Sequence, residues 1–425
     1  MNISNRIKSF NKNSFLRSSS LYLFSNIFNG ILPLLLLPVF TSYLSPSEYG
    51  VVAMFQVVVT GLMSIVGVGY ATASDRKYFD GTERLNSYIT ASIHLVFLSA
   101  FVVFCIVYFS FDYLIIVLGF EPKILLFSVL VAFCSVITQI RLGQWQVRHQ
   151  SKCYVLFQVF FALLINVVAL YLVVGVMMGA NGRIYALIFS YVFFACISLL
   201  SLYKSKLFGF NIPALSDYKE MLDFCIPIIP HLIGVFFLTV FDRYIIKLNL
   251  GMASVGIYMV GFQLMSCVGL FADAVNKVFS PLQMKMLEKE GTEERLKIVK
   301  LIYMWLLALV FIAILSSIFF YFAIDFLLPP RYFEAKKILF FIAIGHAFNG
   351  VYLVILNNIY YSKKTKFLLL PTLIISFIHL LVFYFFTAHY GVVGASFSFS
   401  LSMFFRLVFT FYFANRAMPL PWLLR

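Results

Sequence analysis

Runs of about 20 apolar residues recur along the chain, parted by short polar stretches, and each is long enough to cross a bilayer as a helix. The pattern predicts six helices at about 18–43, 49–74, 87–110, 123–143, 154–177 and 183–203. Six more fall near 224–249, 254–277, 297–322, 335–360, 367–388 and 392–415. Within the seventh, Pro227 and Pro230 in CIPIIPH are expected to break the helix early, because proline lacks the amide donor and clashes with the preceding turn. The segment ahead of Ser18, MNISNRIKSFNKNSFLR, is basic and polar, with no short apolar region and cleavage site after it, so it does not read as a removable signal peptide.

The two sets of six echo one another. YGVVAMFQ at 49–56 resembles VGIYMVGFQ at 255–263, with Gly50 opposite Gly256. ILLF at 124–127 recurs as ILFF at 338–341, Ser151 and Lys152 match Ser362 and Lys363, and Gly182 matches Gly394. The near-constant offset suggests a six-plus-six duplication, the build of many transporters.

Composition agrees with the pattern. Hydrophobic residues make up 62% of the chain and charged residues 12%, against about 25% charged in soluble domains. The net charge of +15 would suggest nucleic acid in a soluble protein; here it is read by sidedness, and no nucleic-acid partner is expected. Of 32 Lys and Arg residues, 24 fall on the side of the N-terminus and five on the other, leaving Arg243, Lys247 and Arg406 within spans. That skew predicts both termini in the cytoplasm. The six cysteines are scattered singly and read as packing residues. There is no G-x-x-x-x-G-K-[ST] loop, and no cofactor or metal is expected. The stretches on the outer side are short and their carboxylates, Asp112, Glu121, Asp325 and Glu334, are scattered, which weighs against a polysaccharide polymerase or glycosyltransferase.

PLLLLPVFTSYLSPSEYGVVAMFQ at 33–56, GVGYATASDRKYF at 67–79 and FDRYIIKLNLGMASVGIYMVGFQ at 241–263 resemble the polysaccharide transporter branch of the multidrug/oligosaccharidyl-lipid/polysaccharide exporter superfamily, the branch of the O-antigen flippases. The resemblance implies an all-α integral membrane fold, twelve transmembrane helices in two six-helix lobes around a central cavity. The lobes would be 18–203 and 224–415, with a cytoplasmic basic tail at 1–17, a cytoplasmic linker at 204–223 and a cytoplasmic tail at 416–425. It further implies alternating access in the bacterial cytoplasmic membrane. The cargo would be an undecaprenyl-diphosphate-linked oligosaccharide destined for O-antigen or another surface polysaccharide. A coupling ion, proton or sodium, and a polysaccharide polymerase complex are the expected partners, and covalent chemistry is not expected. An ion-coupled drug exporter of the same superfamily is the alternative, but those typically use an acidic residue in helix one, and 18–43 contains none.

Charges inside spans cost about 2.5–3.5 kcal/mol at mid-helix and so mark wet or paired positions. Arg243 and Lys247, four residues apart on one helical face, are expected to offer cationic donors to a diphosphate; Asp242, about 100° round the helix, is expected to pair or titrate. Arg406 lies too deep in the last span to reach water by extension of its side chain, so it faces the cavity or pairs with a helix. Asn26, Asn29, Gln56 and Gln263 are the uncharged candidates for hydrogen bonds to sugar, and His231, His346 and His379 the intramembrane groups able to carry protons.

Overall fold

A computed structural model describes residues 12–81, 84–118, 122–288, 291–362 and 366–422. Arg6 and Lys8 of the basic tail, Glu121, Lys363, Lys364 and Arg425 lie outside them. The described chain is helical throughout, with no strand among the described residues. Among the described residues, eleven helices are long and apolar enough to cross a membrane. The last of these, Lys366–Ala417, is a bent pair: Gly391, at φ 62° and ψ −144°, is non-helical inside it. Its 52 residues would measure about 78 Å if straight, far more than one bilayer requires. The two limbs separated by Gly391 correspond to the spans expected at 367–388 and 392–415.

Packing divides the chain into two compact units. The first runs to Pro33 and resumes over Val58–Ile229; the second comprises Leu34–Val57 and everything from Pro230 onward. The boundary therefore cuts through α1 (Lys12–Tyr43) and α2 (Pro46–Gly67).

In the first unit α3 (Tyr70–Asp80) is a short helix, followed by α4 (Leu85–Phe109) and α5 (Phe111–Leu118). Then come α6 (Pro122–Val147), α7 (Ser151–Leu170), α8 (Gly179–Lys204) and α9 (Leu215–Cys225). Helix α4 shows how the pattern sets the packing. Ile89, Ile93, Val96, Ala100 and Val103 recur on one helical face and are buried, while Leu98, Val102 and Phe109 recur on the opposite face and are exposed, which suits lipid. Helices α6, α7 and α8 are joined by an aromatic cluster, Trp145 against Phe157 and Phe157 against Phe194, with ring centroids 5.4 and 4.7 Å apart and edges meeting faces.

The second unit contains α10 (Ile229–Thr239), α11 (Asp242–Leu250), α12 (Met252–Glu288), α13 (Thr292–Leu327), α14 (Leu339–Tyr361) and α15 (Lys366–Ala417). Its axis is α14, whose Ile342, Ala343, Ala347, Val351 and Val354 are buried. At one end of α14 an amide network replaces oil: the Gln283 Nε2 donates to Asn358 Oδ1 (2.8 Å) and the Asn357 Nδ2 to Gln283 Oε1 (3.0 Å). Helices α12 and α13 outrun the spans expected at 254–277 and 297–322. Residues 280–288 continue α12 and residues 292–296 open α13, because Leu, Gln, Met, Glu and Lys are strong helix formers whether or not lipid surrounds them.

The repeat read from sequence has a physical counterpart here. Segments 49–56 and 255–263 both belong to the second unit and cross at their paired glycines: a Cβ on Gly50 would strike the Met252 carbonyl, and one on Gly256 would strike the Pro46 carbonyl. Tyr49 hydroxyl, next to that crossing, donates to Gln263 Oε1 at 2.5 Å. Close backbone contact through small residues is the usual way membrane helices associate. Gly256→Val should therefore lower stability by about 1–3 kcal/mol, the usual cost of overpacking, seen as a lower melting temperature in detergent; an unchanged melting curve would refute the crossing.

Candidate functional site

The seventh apolar run is broken twice. The first break is the one its prolines predict: α9 ends at Cys225, Ile226–Ile228 forms a 3-10 turn, and α10 begins at Ile229. The second, at Val240 and Phe241, has neither proline nor glycine. There the Arg243 amide leaves its normal partner, the Thr239 carbonyl, for the Val240 carbonyl (3.4 Å) and Asp242 Oδ1 (2.8 Å). An orphaned carbonyl in a membrane is costly, and the Arg243 guanidinium takes up Thr239 O. The same guanidinium pairs with Asp242 Oδ1 at 2.7 Å and lies over the Phe262 ring, 4.5 Å from its centroid. Asp242 Oδ2 accepts from the Tyr258 hydroxyl at 3.0 Å. Asp242 also sits in the first turn of α11, where the helix dipole favours a negative charge.

Asp242 and Arg243 thus form a self-contained splint across a helix break, 1% and 7% exposed. Arg243 does not present an open donor face. Lys247, one turn on, is half-buried, with its Nζ 5.9 Å from the Tyr244 ring centroid.

Arg406 is different. It is half-buried in the second limb of α15, its Nη1 donating to Asn349 Oδ1 and its Nη2 to the Tyr352 hydroxyl, both at 3.1 Å. Its guanidinium lies over the Tyr352 ring, 3.9 Å from the centroid. Among the described residues no carboxylate pairs with it. This is a mid-span cation held by neutral groups and aimed by a π face.

Of the uncharged candidates, Asn29 donates to Gln158 Oε1 at 3.0 Å within the first unit, and Asn26 is half-buried on the same helix. In the second unit Gln56 is exposed and Gln263 is engaged with Tyr49. His379 Nδ1 meets Ser402 Oγ at 2.7 Å, and His346 packs against the Phe262 and Phe399 rings. His379 is buried and His346 half-buried, and the Nε2 of each lacks a protein partner. The structure therefore joins Asp242 to Arg243 and leaves Arg406 apart from them. It adds Tyr258, Asn349 and Tyr352, which sequence reasoning passed over because a tyrosine or asparagine in an apolar run carries no sign of the partner it reaches.

A family model described as polysaccharide biosynthesis protein matches residues 15–287. No curated protein matches the sequence significantly. Among solved structures the chain resembles the lipid II flippase MurJ in an inward closed conformation, with a TM-score of 0.71 at 16% identity over 93% of this chain and 87% of that one. It also resembles an inward-facing multidrug resistance MATE family transporter of the MOP superfamily, at 0.68 and 14% over 91% and 94%. The Vibrio cholerae MATE transporter VcmN, in a point-mutant form, gives 0.62 and 12% over 96% of each chain. At these identities the likeness is one of fold.

Proposed function

Because this chain belongs to the polysaccharide biosynthesis protein family, we propose that it is a flippase carrying an undecaprenyl-diphosphate-linked oligosaccharide repeat unit across the bacterial cytoplasmic membrane by alternating access. Residues 18–203 and 224–415 are its two lobes, both termini are cytoplasmic, and the repeat unit feeds O-antigen or another surface polysaccharide. The observation that carries the reading is Arg406. A diphosphate crossing hydrocarbon needs a cation that is not already neutralised, and Arg406 is held at mid-span by Asn349 and Tyr352, with no carboxylate among the described residues paired with it. Its guanidinium can fork onto two phosphate oxygens, with Lys247 as a second, point-charge donor and Gln56 and Gln263 as the side chains that would exchange their present partners for sugar hydroxyls. Asp242 and Arg243 hold the broken seventh helix in shape. An ion gradient, of protons or sodium, supplies the energy, and a polymerase consumes the product.

The fold is shared with multidrug transporters, so a drug exporter is the competing reading. A net cation at mid-span repels the cationic compounds such an exporter would carry and attracts an anionic headgroup. The test is a cell-based deletion scored for lipid-linked repeat units. Their accumulation on the inner face, relieved by the intact gene, is the expected result; normal surface polysaccharide with raised drug sensitivity would reverse the assignment.

A further inference from the structure

The first unit holds a half-buried carboxylate that the proposed transport path does not use. Helix α3 hangs from the end of α2 by two residues at positive φ, Val68 (38°) and Gly69 (82°). A β-branched residue in that region is strained, and Gly69 faces open space, with nothing within 4 Å of where a Cβ would sit. Helix α3 lies on α6, and Asp75 makes the contact. Its carboxylate rests on Gly143, where any Cβ would strike both oxygens. The neighbouring Gln144 is fully buried, its Nε2 donating to the Ser74 carbonyl (3.0 Å) and, at the long distance of 3.3 Å, to Asp75 Oδ1.

The cations nearby are engaged elsewhere. Arg141 of α6 lies over Trp145 and donates to Ser205, and Arg148 lies over Tyr78. On α3 itself Arg76 pairs with Asp80 and lies over Phe224, while Lys77 pairs with Glu220 at 2.6 Å. Arg84, just ahead of α4, pairs with Asp217. Among the described residues, the other titratable groups facing α3 are Tyr88 of α4 and Glu220, Asp223 and Cys225 of α9. An open cleft of about 420 Å³, lined by Arg76, Lys77, Tyr88, Glu220 and Phe224, brings water to the edge of this packing.

We infer that Asp75 is a proton-binding residue: protonated, it docks α3 on α6; ionised, it drives α3 off about the Val68–Gly69 hinge, pulling on helix α9 through Lys77 and Glu220. Burial pushes the Asp75 carboxyl up to about 7, the Gln144 hydrogen bond opposing it only in part. The sign follows from the raised value. In the undocked state the carboxyl titrates near its ordinary range, so the docked form is penalised progressively as pH rises from that range to about 7, above which both states are ionised and the penalty is complete. Calling this the coupling proton rests on the transport reading above; the protonation itself does not.

The test is hydrogen exchange of segment 70–80 in the full-length protein in lipid nanodiscs, corrected for intrinsic rates, from well below to well above neutrality. Protection should fall about tenfold per pH unit from the ordinary carboxylate range up to a midpoint near 7, where the docked carboxyl itself ionises, and level off above it, and Asp75→Asn should stay protected throughout. Gly143→Ala, which crowds the carboxylate off α6, should move the midpoint down towards the ordinary carboxylate range and serves if Asp75→Asn fails to fold. Protection independent of pH, or an Asp75→Asn or Gly143→Ala curve that overlays the wild type, would overturn the assignment. A wild-type titration as described alongside a deletion strain that traps no glycolipid would keep the proton site and remove the flippase; trapped glycolipid with a flat titration would do the reverse.

Discussion

Arg406→Ala should lower glycolipid translocation about ten- to a hundredfold while leaving the protein's amount and melting temperature unchanged. The size follows from losing a charge-assisted bond to phosphate, worth about 1.5–3 kcal/mol. The unchanged stability follows from the neighbours: Asn349 and the Tyr352 hydroxyl are neutral, so removing the guanidinium strands no buried charge. Arg406→Lys should fall between, because an ammonium keeps the charge and loses the planar fork. The measurement is accumulation of lipid-linked repeat units in cells expressing each variant at matched levels. Wild-type flux in Arg406→Ala would remove this residue from the transport path.

The contrast between Arg406 and Arg243 was not legible in the sequence, where both are lone arginines in apolar runs. What separates them is a carboxylate. Asp242 is adjacent in sequence, yet on an unbroken helix adjacent residues point about 100° apart, so sequence spacing grouped Arg243 with Lys247 instead. The break at Val240–Phe241 changes the geometry, and nothing in FLTVFDRY announces it, since neither residue is a helix breaker. The prolines at 227 and 230 did announce theirs. Spans were legible because hydrocarbon thickness imposes a length on every apolar run, and the last two were separable because GVVG interrupts them at the residue that takes positive φ. The helical extensions around Pro281 and Thr292 were not, because hydropathy reports where lipid is, not where a helix ends. The paired glycines at 50 and 256 stood out as a repeat before their crossing was known, since only a residue without Cβ fits where two backbones touch.

Asp242→Ala should be the most destabilising single change in the second unit, by about 3–5 kcal/mol, because it leaves a buried guanidinium without its counter-charge. Three groups lose their partner together: the Arg243 guanidinium, the Arg243 amide and the Tyr258 hydroxyl. The expected readout is loss of protein from the membrane fraction and a lower melting temperature in detergent for whatever remains. If the pair is a splint, removing both charges must be far milder than removing one. With Arg243→Met added, no buried ion is left, the thioether fills part of the space beside Met259 and Phe262, and the chain can restore the ordinary bond from residue 243 to the Thr239 carbonyl. Asp242→Ala with Arg243→Met should therefore recover most of the lost stability, as apolar replacement of buried pairs often does. Should the double variant instead be as unstable as Asp242→Ala, the charges would be needed for more than neutralising each other. Should Asp242→Ala melt like the wild type, the splint would not exist. Translocation by a stable double variant then separates shape from charge: activity retained assigns the pair to holding the seventh helix, and activity lost at full stability returns Arg243 to the substrate.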